Sequence, residues 1–233
     1  MEGGKLLIND PHCHIELRYR QSSLASYPYL MEAYLRTYSD HVVAVAGGYQ
    51  FTMPGKPVSL NGTRSLTGKG ETIVAYTWTL NDGSRIETPQ LQLHYDKPGL
   101  YSEELEVRTQ SGATDRDFVQ VRVYDSARGE DIAYGWAYCH PLREVHPGDE
   151  VLFWNGLVHM QGDVWIDFGD GSGKIIVTRG TRHSFKMPGR FVVTMTGEGP
   201  GNEPVMVKME VVVEPYQIFF ECIRLIRPAT YSF

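Results

Sequence analysis

Three sequence landmarks of this chain occur twice, in the same order and about 90 residues apart. The pairs are Pro54-Gly55-Lys56-Pro57-Val58 with Pro147-Gly148-Asp149-Glu150-Val151, Tyr76–Ser84 with Val164–Ser172, and Tyr95–Tyr101 with Phe185–Phe191. Small differences in spacing between the landmarks correspond to loop insertions or deletions, which loops tolerate best. The repeat predicts two copies of one folding unit, and a chain of 233 residues is long enough for two such domains.

Each copy consists of short alternating or β-branched runs separated by turn-forming residues, which is the pattern of an all-β sandwich. Turn formers such as Asn81-Asp82-Gly83-Ser84 and Ser111-Gly112 separate the runs of the first copy. The predicted strands of that copy are Val42–Val45, Pro57–Asn61, Ile73–Leu80, Gln90–Tyr95, Gly99–Gln110 and Asp117–Tyr124. We therefore expect a first module over residues 42–126 and a second module over residues 132–214, joined by a short polar hinge.

The two ends of the chain do not fit the repeat. Residues 1–41 are predicted to be an adapter, or the end of an upstream domain, that contains a strand and a helix. Within Tyr27–Tyr38 the apolar side chains follow helical spacing, with Ser26 as a cap and Pro28 in the first turn. Residues 215–233 are predicted to be a C-terminal tail that carries an apolar run.

The run Trp165-Ile166-Asp167-Phe168-Gly169-Asp170-Gly171-Ser172 resembles the W-D-F-G-D-G motif of PKD domains. Its tryptophan stands one residue earlier than in the family. A second family feature, an aromatic residue followed by x-x-Pro-Gly-x-[Tyr/Phe], is present in both copies. In the first copy Thr79-Leu80-Asn81 replaces the Asp-Phe-Gly of the motif, while Trp78 and Asp82-Gly83 remain.

The resemblance implies two tandem immunoglobulin-like PKD-type sandwiches of extracellular or cell-surface location. PKD-like modules are often appended to secreted hydrolases, where they act as spacers, adhesive units or carbohydrate- and protein-binding accessories. The motif itself is mainly structural in physical terms. Val164, Ile166 and Phe168 should point into the sandwich, Trp165 and Asp167 should face outward, and the glycines permit a tight hairpin.

Charge and composition narrow the set of partners. The formal net charge is -6, and no cluster of basic residues exceeds Arg18-Tyr19-Arg20, so nucleic acid is not an expected ligand. The cysteines Cys13, Cys139 and Cys222 lie far apart without Cys-x-x-Cys spacing, so neither a zinc knuckle nor a disulfide framework is indicated. No stretch reaches the roughly 20 apolar residues of a membrane span, and an export signal would have to lie upstream of Met1.

Metal-ligating chemistry is concentrated near the N-terminus. In an extended strand His12, His14 and Glu16 would share one face, as ligands that converge on one metal ion must. The alternative reading is a polar, partly exposed strand. Asp167 and Asp170 with Ser172 offer oxygens that suit calcium, although the spacing is not that of an EF-hand and hairpin stabilisation is the favoured role. No other cofactor is expected.

Aromatic side chains are the better lead to function. Trp136, Tyr138, Trp154 and Trp165 include rings that strand alternation places toward solvent, where flat rings stack on sugars or anchor protein interfaces. Packing in the core or between domains is the alternative for most of them. The carboxylates of Glu103 and Glu104 are expected to be solvated, and no motif of a known catalytic class is present.

The sequence thus predicts a non-catalytic accessory module that acts as a spacer or binds a polysaccharide or protein partner weakly. The alternative is the C-terminal portion of a secreted carbohydrate-active or other hydrolytic enzyme, with a covalently linked catalytic domain upstream. A third hypothesis is self-association through edge strands.

Overall fold

The computed structural model describes residues 42–68, 70–125, 132–141 and 145–216. In these ranges the chain forms strands and turns and no helix. The strands up to residue 125 are β1 (Val42–Val43), β2 (Gln50–Thr52), β3 (Val58–Asn61), β4 (Leu66–Thr67), β5 (Ile73–Thr79), β6 (Arg85–Glu87), β7 (Gln90–Leu93), β8 (Gly99–Thr109) and β9 (Thr114–Val123). Those after it are β10 (Tyr134–His140), β11 (Glu150–Val158), β12 (Gln161–Asp167), β13 (Lys174–Ile176), β14 (Gly180–Ser184), β15 (Gly189–Glu198) and β16 (Pro204–Val213).

The predicted all-β fold is therefore confirmed, and all six strands predicted for the first module are present with small shifts at their ends. The predicted helix at residues 27–38, the apolar run near the C-terminus and the hinge at residues 126–131 lie outside the described residues. The module boundaries at 42–126 and 132–214 remain a prediction.

The pattern of strand pairing occurs twice. In the first module β3 pairs with β7, β5 pairs with β6 and β8, and β8 pairs with β9. In the second module β11 pairs with β14, β12 pairs with β13 and β15, and β15 pairs with β16. The register is the same as well, since Asn61 opposes Gln90 in one module and the corresponding Trp154 opposes Gly180 in the other. The duplicated landmarks thus belong to duplicated strand topology.

Hydrogen bonds at the turns are duplicated too. The Gly55 amide donates to the Tyr95 carbonyl at 2.9 Å, and the Gly148 amide donates to the Phe185 carbonyl at 2.8 Å. These bonds join the first and third landmarks of each repeat. Because proline cannot donate and glycine accepts positive φ, each Pro-Gly pair forms a turn that presents the glycine amide to the facing strand.

Each module has its own apolar core. Trp78 and Leu105 are fully buried in the first, and Phe153, Ile166 and Phe185 in the second. The remaining core members include Leu60, Val107, Val119 and Val121 in the first module, and Val151, Val193, Met195 and Val211 in the second. Each cluster lies between two sheets, so that alternate side chains of both sheets meet in the middle of a sandwich.

The PKD-like motif is oriented as predicted. Val164, Ile166 and Phe168 are buried, and the Trp165 ring is exposed. In the first module, Trp78 corresponds in position to Ile166 and is fully buried, with its indole N–H donating to the Thr88 carbonyl at 3.1 Å. A shift of one residue along a strand moves a side chain to the other face, so the displaced tryptophan of the second module lies outside its core.

The two modules are joined by strand pairing as well as by the chain. On the side of β8 where β5 stops, β16 takes its place and runs parallel, with Val205 opposite Leu100. Leu100, Val205, Val207 and Ala133 form a third buried cluster. One sheet therefore contains strands of both modules, while the main cores remain separate.

A group of ion pairs crosses the same boundary. The Arg190 guanidinium binds both carboxylate oxygens of Glu210 at 2.9 and 2.7 Å within the second module. It also donates to Asp115 at 3.1 Å and to the Thr114 carbonyl at 2.7 Å in the first module. Since the Glu210 and Asp115 side chains are nearly buried, Arg190 neutralises two carboxylates at once.

The expectation that Glu103 is solvated was wrong. Its side chain is 1% exposed and lies on the core side of β8, in step with Leu105 and Val107. Its carboxylate accepts hydrogen bonds from the Tyr95 hydroxyl at 2.9 Å and from the Asn81 amide at 2.7 Å. Burial raises the pKa of this carboxyl above its usual range.

Candidate ligand-binding face

Four aromatic side chains lie together on the outer side of the sheet formed by β10, β11 and β14. Tyr134, Trp136 and Tyr138 alternate along β10 and so share one side of the strand. Trp154, on β11, lies directly opposite Tyr138. We call Tyr134, Trp136, Tyr138 and Trp154 the aromatic face. The inner side of the same sheet carries Cys139 and Phe153, which are buried in the core.

The rings of the aromatic face are nearly parallel where they meet. Tyr138 and Trp154 have ring centroids 6.1 Å apart and planes inclined by only 16°. At one end of the face, Tyr134 makes a T-shaped contact with His159, with ring centroids 5.4 Å apart, and the central carbon of the Arg122 guanidinium lies 4.9 Å from the Tyr134 ring centroid. These contacts restrict the orientations of the Tyr134, Tyr138 and Trp154 rings.

Both tryptophans lie beside glycines of neighbouring strands. Gly156 opposes Trp136, and a Cβ built at Gly156 would be 3.6 Å from the Trp136 indole nitrogen. Gly180 opposes Trp154, and a Cβ there would be 3.7 Å from the indole ring. Each indole thus lies within van der Waals distance of a glycine position on the neighbouring strand, and aromatic side chains next to strand glycines help to protect the backbone there. Both indoles are exposed, and Trp136 is 56% exposed.

Polar groups border the aromatic face. In the next row of the sheet His140 opposes Leu152, which in turn opposes Arg182. The Arg182 guanidinium binds Glu150 at 2.8 Å, and both side chains are exposed. Donors and acceptors therefore lie within one row of the rings, where they can bind the hydroxyl groups of a ligand that stacks on the aromatic face.

The equivalent surface of the first module is polar. By the shared register, Asn61 occupies the position of Trp154, Gln90 that of Gly180 and Gln92 that of Arg182. These first-module side chains are exposed. The same strand pair thus folds with amide side chains in one module and with an indole opposite a glycine in the other, so packing within the fold does not require an indole at position 154.

Three of the four predicted ligand-binding residues are brought together, namely Trp136, Tyr138 and Trp154. Trp165 is on β12 in the opposite sheet of the second module, beside Ile176 of β13. Tyr134 was not predicted, although the alternation Tyr134-Gly135-Trp136-Ala137-Tyr138 carries the signal. The role of the predicted residues in binding remains a proposal.

The candidate metal ligands have different outcomes. His12, His14 and Glu16 lie outside the described residues, and within the described ranges no group of three or more His, Cys, Asp or Glu side chains is arranged to hold a metal ion. The oxygens proposed for calcium form hydrogen bonds in the hairpin. Asp167 accepts from the Gly169 amide at 2.9 Å, and Asp170 accepts from the Ser172 amide at 3.0 Å.

The Asp170 carboxylate links the hairpin to the facing sheet. It accepts the Ser172 hydroxyl hydrogen at 2.6 Å and lies 2.7 Å from the His183 imidazole, which stacks on Phe168 with centroids 3.8 Å apart. Partial burial raises the pKa of Asp170, but these hydrogen bonds outweigh that effect and lower the pKa below its usual range. In the first module Asp82 forms the same two bonds to Ser84, so this turn is a duplicated structural feature.

The repeated strand pairing and the two sandwich cores place this chain among immunoglobulin-like β-sandwich modules. Residues 41–123 match the family model of the PKD domain. The resemblance to PKD domains seen in the sequence is therefore confirmed for that segment. No curated protein sequence matches the chain. Across the described ranges we find no helix with the length and apolar character needed to cross a membrane.

Similar solved structures include two PKD domains from bacterial proteins. The PKD1 domain of Vibrio anguillarum Epp shares 22% identity over 36% of this chain and 95% of its own, with a TM-score of 0.31. The PKD1 domain of the Vibrio cholerae metalloprotease PrtV shares 24% identity over 32% of this chain and 89% of its own, with a TM-score of 0.28. A β-sandwich carbohydrate-binding module shares 12% identity over 77% of this chain and 87% of its own, with a TM-score of 0.33.

Proposed function

We propose that this chain is a non-catalytic accessory unit of an extracellular protein and that it binds a neutral polysaccharide through the aromatic face. The observation that carries the proposal is the exposure of Trp136 and Trp154 side by side on one sheet surface, each opposite a glycine, Gly156 or Gly180, of the neighbouring strand. Glycine leaves room beside each indole, and sugar rings stack on exposed aromatic rings through their apolar C–H groups. An extracellular location is the one that the PKD domain implies.

A polysaccharide suits this surface better than a folded protein partner does. The rings lie on the outer side of a three-stranded sheet and are bordered by groups that can bind hydroxyls, such as His140 and Arg182. The contrast with the first module supports the same interpretation. Where the first module has Asn61 and Gln90, the second has Trp154 and Gly180, and this difference serves no need of the shared fold.

The test uses the first module as a guide to substitutions that the fold accepts. Trp154→Asn installs the side chain that the first module has at that position. Trp165→Thr does the same for a tryptophan on the opposite sheet, since Thr77 is its counterpart. The two tryptophans are similarly exposed, at 39% and 41%, so the second variant is a matched control.

Binding should be measured by affinity electrophoresis and by pull-down with mixed-linkage β-glucan, xylan and chitin. We expect Trp154→Asn to weaken binding by about 2 kcal/mol, roughly 30-fold in Kd, as loss of a central aromatic contact does. Trp165→Thr should leave binding within about twofold of the wild type. Absence of binding to every polysaccharide, or equal losses in the two variants, would refute the proposal.

A further inference from the structure

The aromatic face does not end at the module boundary. Tyr134, the residue of the aromatic face nearest to the first module, lies under the guanidinium of Arg122, which belongs to β9 of the first module. The same guanidinium donates to the Ile132 carbonyl at 2.9 Å. Arg122 therefore fixes the start of β10 to the first module and forms part of the surface beside Tyr134.

Beyond Arg122 the surface continues with an exposed ring. Phe51, on β2, opposes Arg122 in the parallel pairing of β2 with β9, and its side chain is 62% exposed. The ring of Phe51 lies 5.1 Å from that of Tyr49. Tyr49 in turn packs against the buried cluster between the modules, which includes Leu100 and Val205. Phe51 thus lies on a strand at the boundary between the modules and is connected through Tyr49 to the buried cluster there.

From these contacts we infer that the binding surface extends over both modules, from Trp154 to Phe51, and takes an extended polysaccharide chain rather than one or two sugars. This inference rests on the proposed function. Tyr134 and Tyr138 are separated by four residues of strand, about 13 Å. Arg122 and Phe51 add two strand spacings of about 5 Å each. Only a chain of several sugar rings can contact both ends of a surface of this length.

The fixed junction between the modules makes such a surface useful. The β8–β16 pairing and the bonds from Arg190 to Glu210 and Asp115 hold the first module in place relative to the second. A ligand that contacts Phe51 and Trp154 together does not have to restrain two loosely linked domains. The entropic cost of fixing the two modules relative to each other when a ligand binds is therefore small.

The experiment compares ligand length in the full chain. Soluble β-1,4-linked glucose and xylose oligomers of two and six rings are titrated by calorimetry against the wild type, Trp154→Asn and Phe51→Thr. Val74→Thr is the control, because Val74 is exposed on another surface of the first module, on β5. Threonine suits a strand in both places.

We expect the long oligomers to bind more tightly than the short ones. Phe51→Thr should weaken the long ones roughly fivefold, the size of one aromatic contact. The short ones should bind Phe51→Thr and Val74→Thr as they bind the wild type. Loss of binding in Trp154→Asn together with an unchanged Phe51→Thr would overturn this inference and leave the proposed function standing. No binding of any oligomer or polysaccharide to the wild type would overturn both.

Discussion

Tyr95 donates its hydroxyl hydrogen to Glu103 at 2.9 Å inside the core of the first module. The carboxylate also accepts the Asn81 amide, so one buried acid joins the end of β5 to the third landmark of the repeat. Burial raises the pKa of Glu103, while the bonds from Tyr95 and Asn81 lower it in part. The protonation state of this acid is therefore coupled to folding.

The raised pKa has a defined effect on stability. A carboxyl that holds its proton more tightly in the folded state contributes most below its unfolded pKa of about 4.3, and loses that contribution as pH rises through the folded pKa. Glu103→Gln stays neutral throughout. We expect the free energy of unfolding of Glu103→Gln to increase relative to that of the wild type as pH rises. Unfolding in urea from acidic to neutral pH measures this difference.

A second variant checks the cause. Tyr95→Phe removes one donor that favours the charged carboxylate, so its stability should fall more steeply with pH than that of the wild type. If the free energies of unfolding of the wild type, Glu103→Gln and Tyr95→Phe changed with pH in parallel, Glu103 would have the same pKa in the folded and unfolded states, which would contradict this account.

Arg190 should be important for the stability of the junction between the modules. Arg190→Met keeps much of the side-chain volume but leaves Glu210 and Asp115 without their shared partner. We expect a loss of about 3 kcal/mol in the free energy of unfolding, as for the removal of one member of a buried ion pair. Arg182→Met, which breaks the exposed pair with Glu150, should cost less than about 1 kcal/mol. Similar losses in both variants would contradict this account.

Gly99 and Gly189, the glycines of the third landmark in the two modules, should respond differently to substitution by alanine. Gly99 has a φ of +157°, and a Cβ there would lie 2.6 Å from the Pro204 carbonyl oxygen across the junction. The corresponding Cβ at Gly189 would meet only the movable Phe191 ring, at 3.2 Å. We expect Gly99→Ala to cost more than about 2 kcal/mol and Gly189→Ala about 1 kcal/mol or less. Equal melting temperatures for the two variants would contradict the close approach of β16 to β8.

Asp170 should contribute stability that depends on pH. Because its pKa is lowered in the folded state, its contribution is present above the unfolded pKa of about 3.9 and is lost as pH falls through the folded value. Thermal unfolding should show Asp170→Ala less stable than the wild type at neutral pH, with the difference shrinking in acid. Asp170→Asn keeps an acceptor for Ser172 and should lie between them. A difference that is constant with pH would exclude the carboxylate as its source.

Much of the fold could be predicted because turn chemistry and alternation agree in this sequence. The Pro-Gly pairs, the Asp-Gly-Ser turns and the inward Ile166 all follow from local rules. Glu103 was assigned to the surface from its charge, although alternation with Leu105 and Val107 indicates the core. The pairing of β8 with β16 left no local signal, because it depends on how the modules meet.

The candidate site was only partly predictable for a similar reason. Alternation indicates which rings point outward, and it does so for Trp154 and Trp165 alike. Which of them shares a surface with Tyr138 depends on strand pairing between distant segments. Gly156 and Gly180 gain their meaning only when the indole on the neighbouring strand is known.

The insertion of β16 beside β8 has a practical consequence for anyone who divides this chain. Expressed alone, residues 42–125 would leave Leu100 at an open strand edge, and residues 132–216 would do the same with Val205. Open apolar edges recruit other strands. Truncation at the hinge is therefore expected to yield fragments that aggregate. Biophysical measurements on this molecule should use a chain that contains both modules.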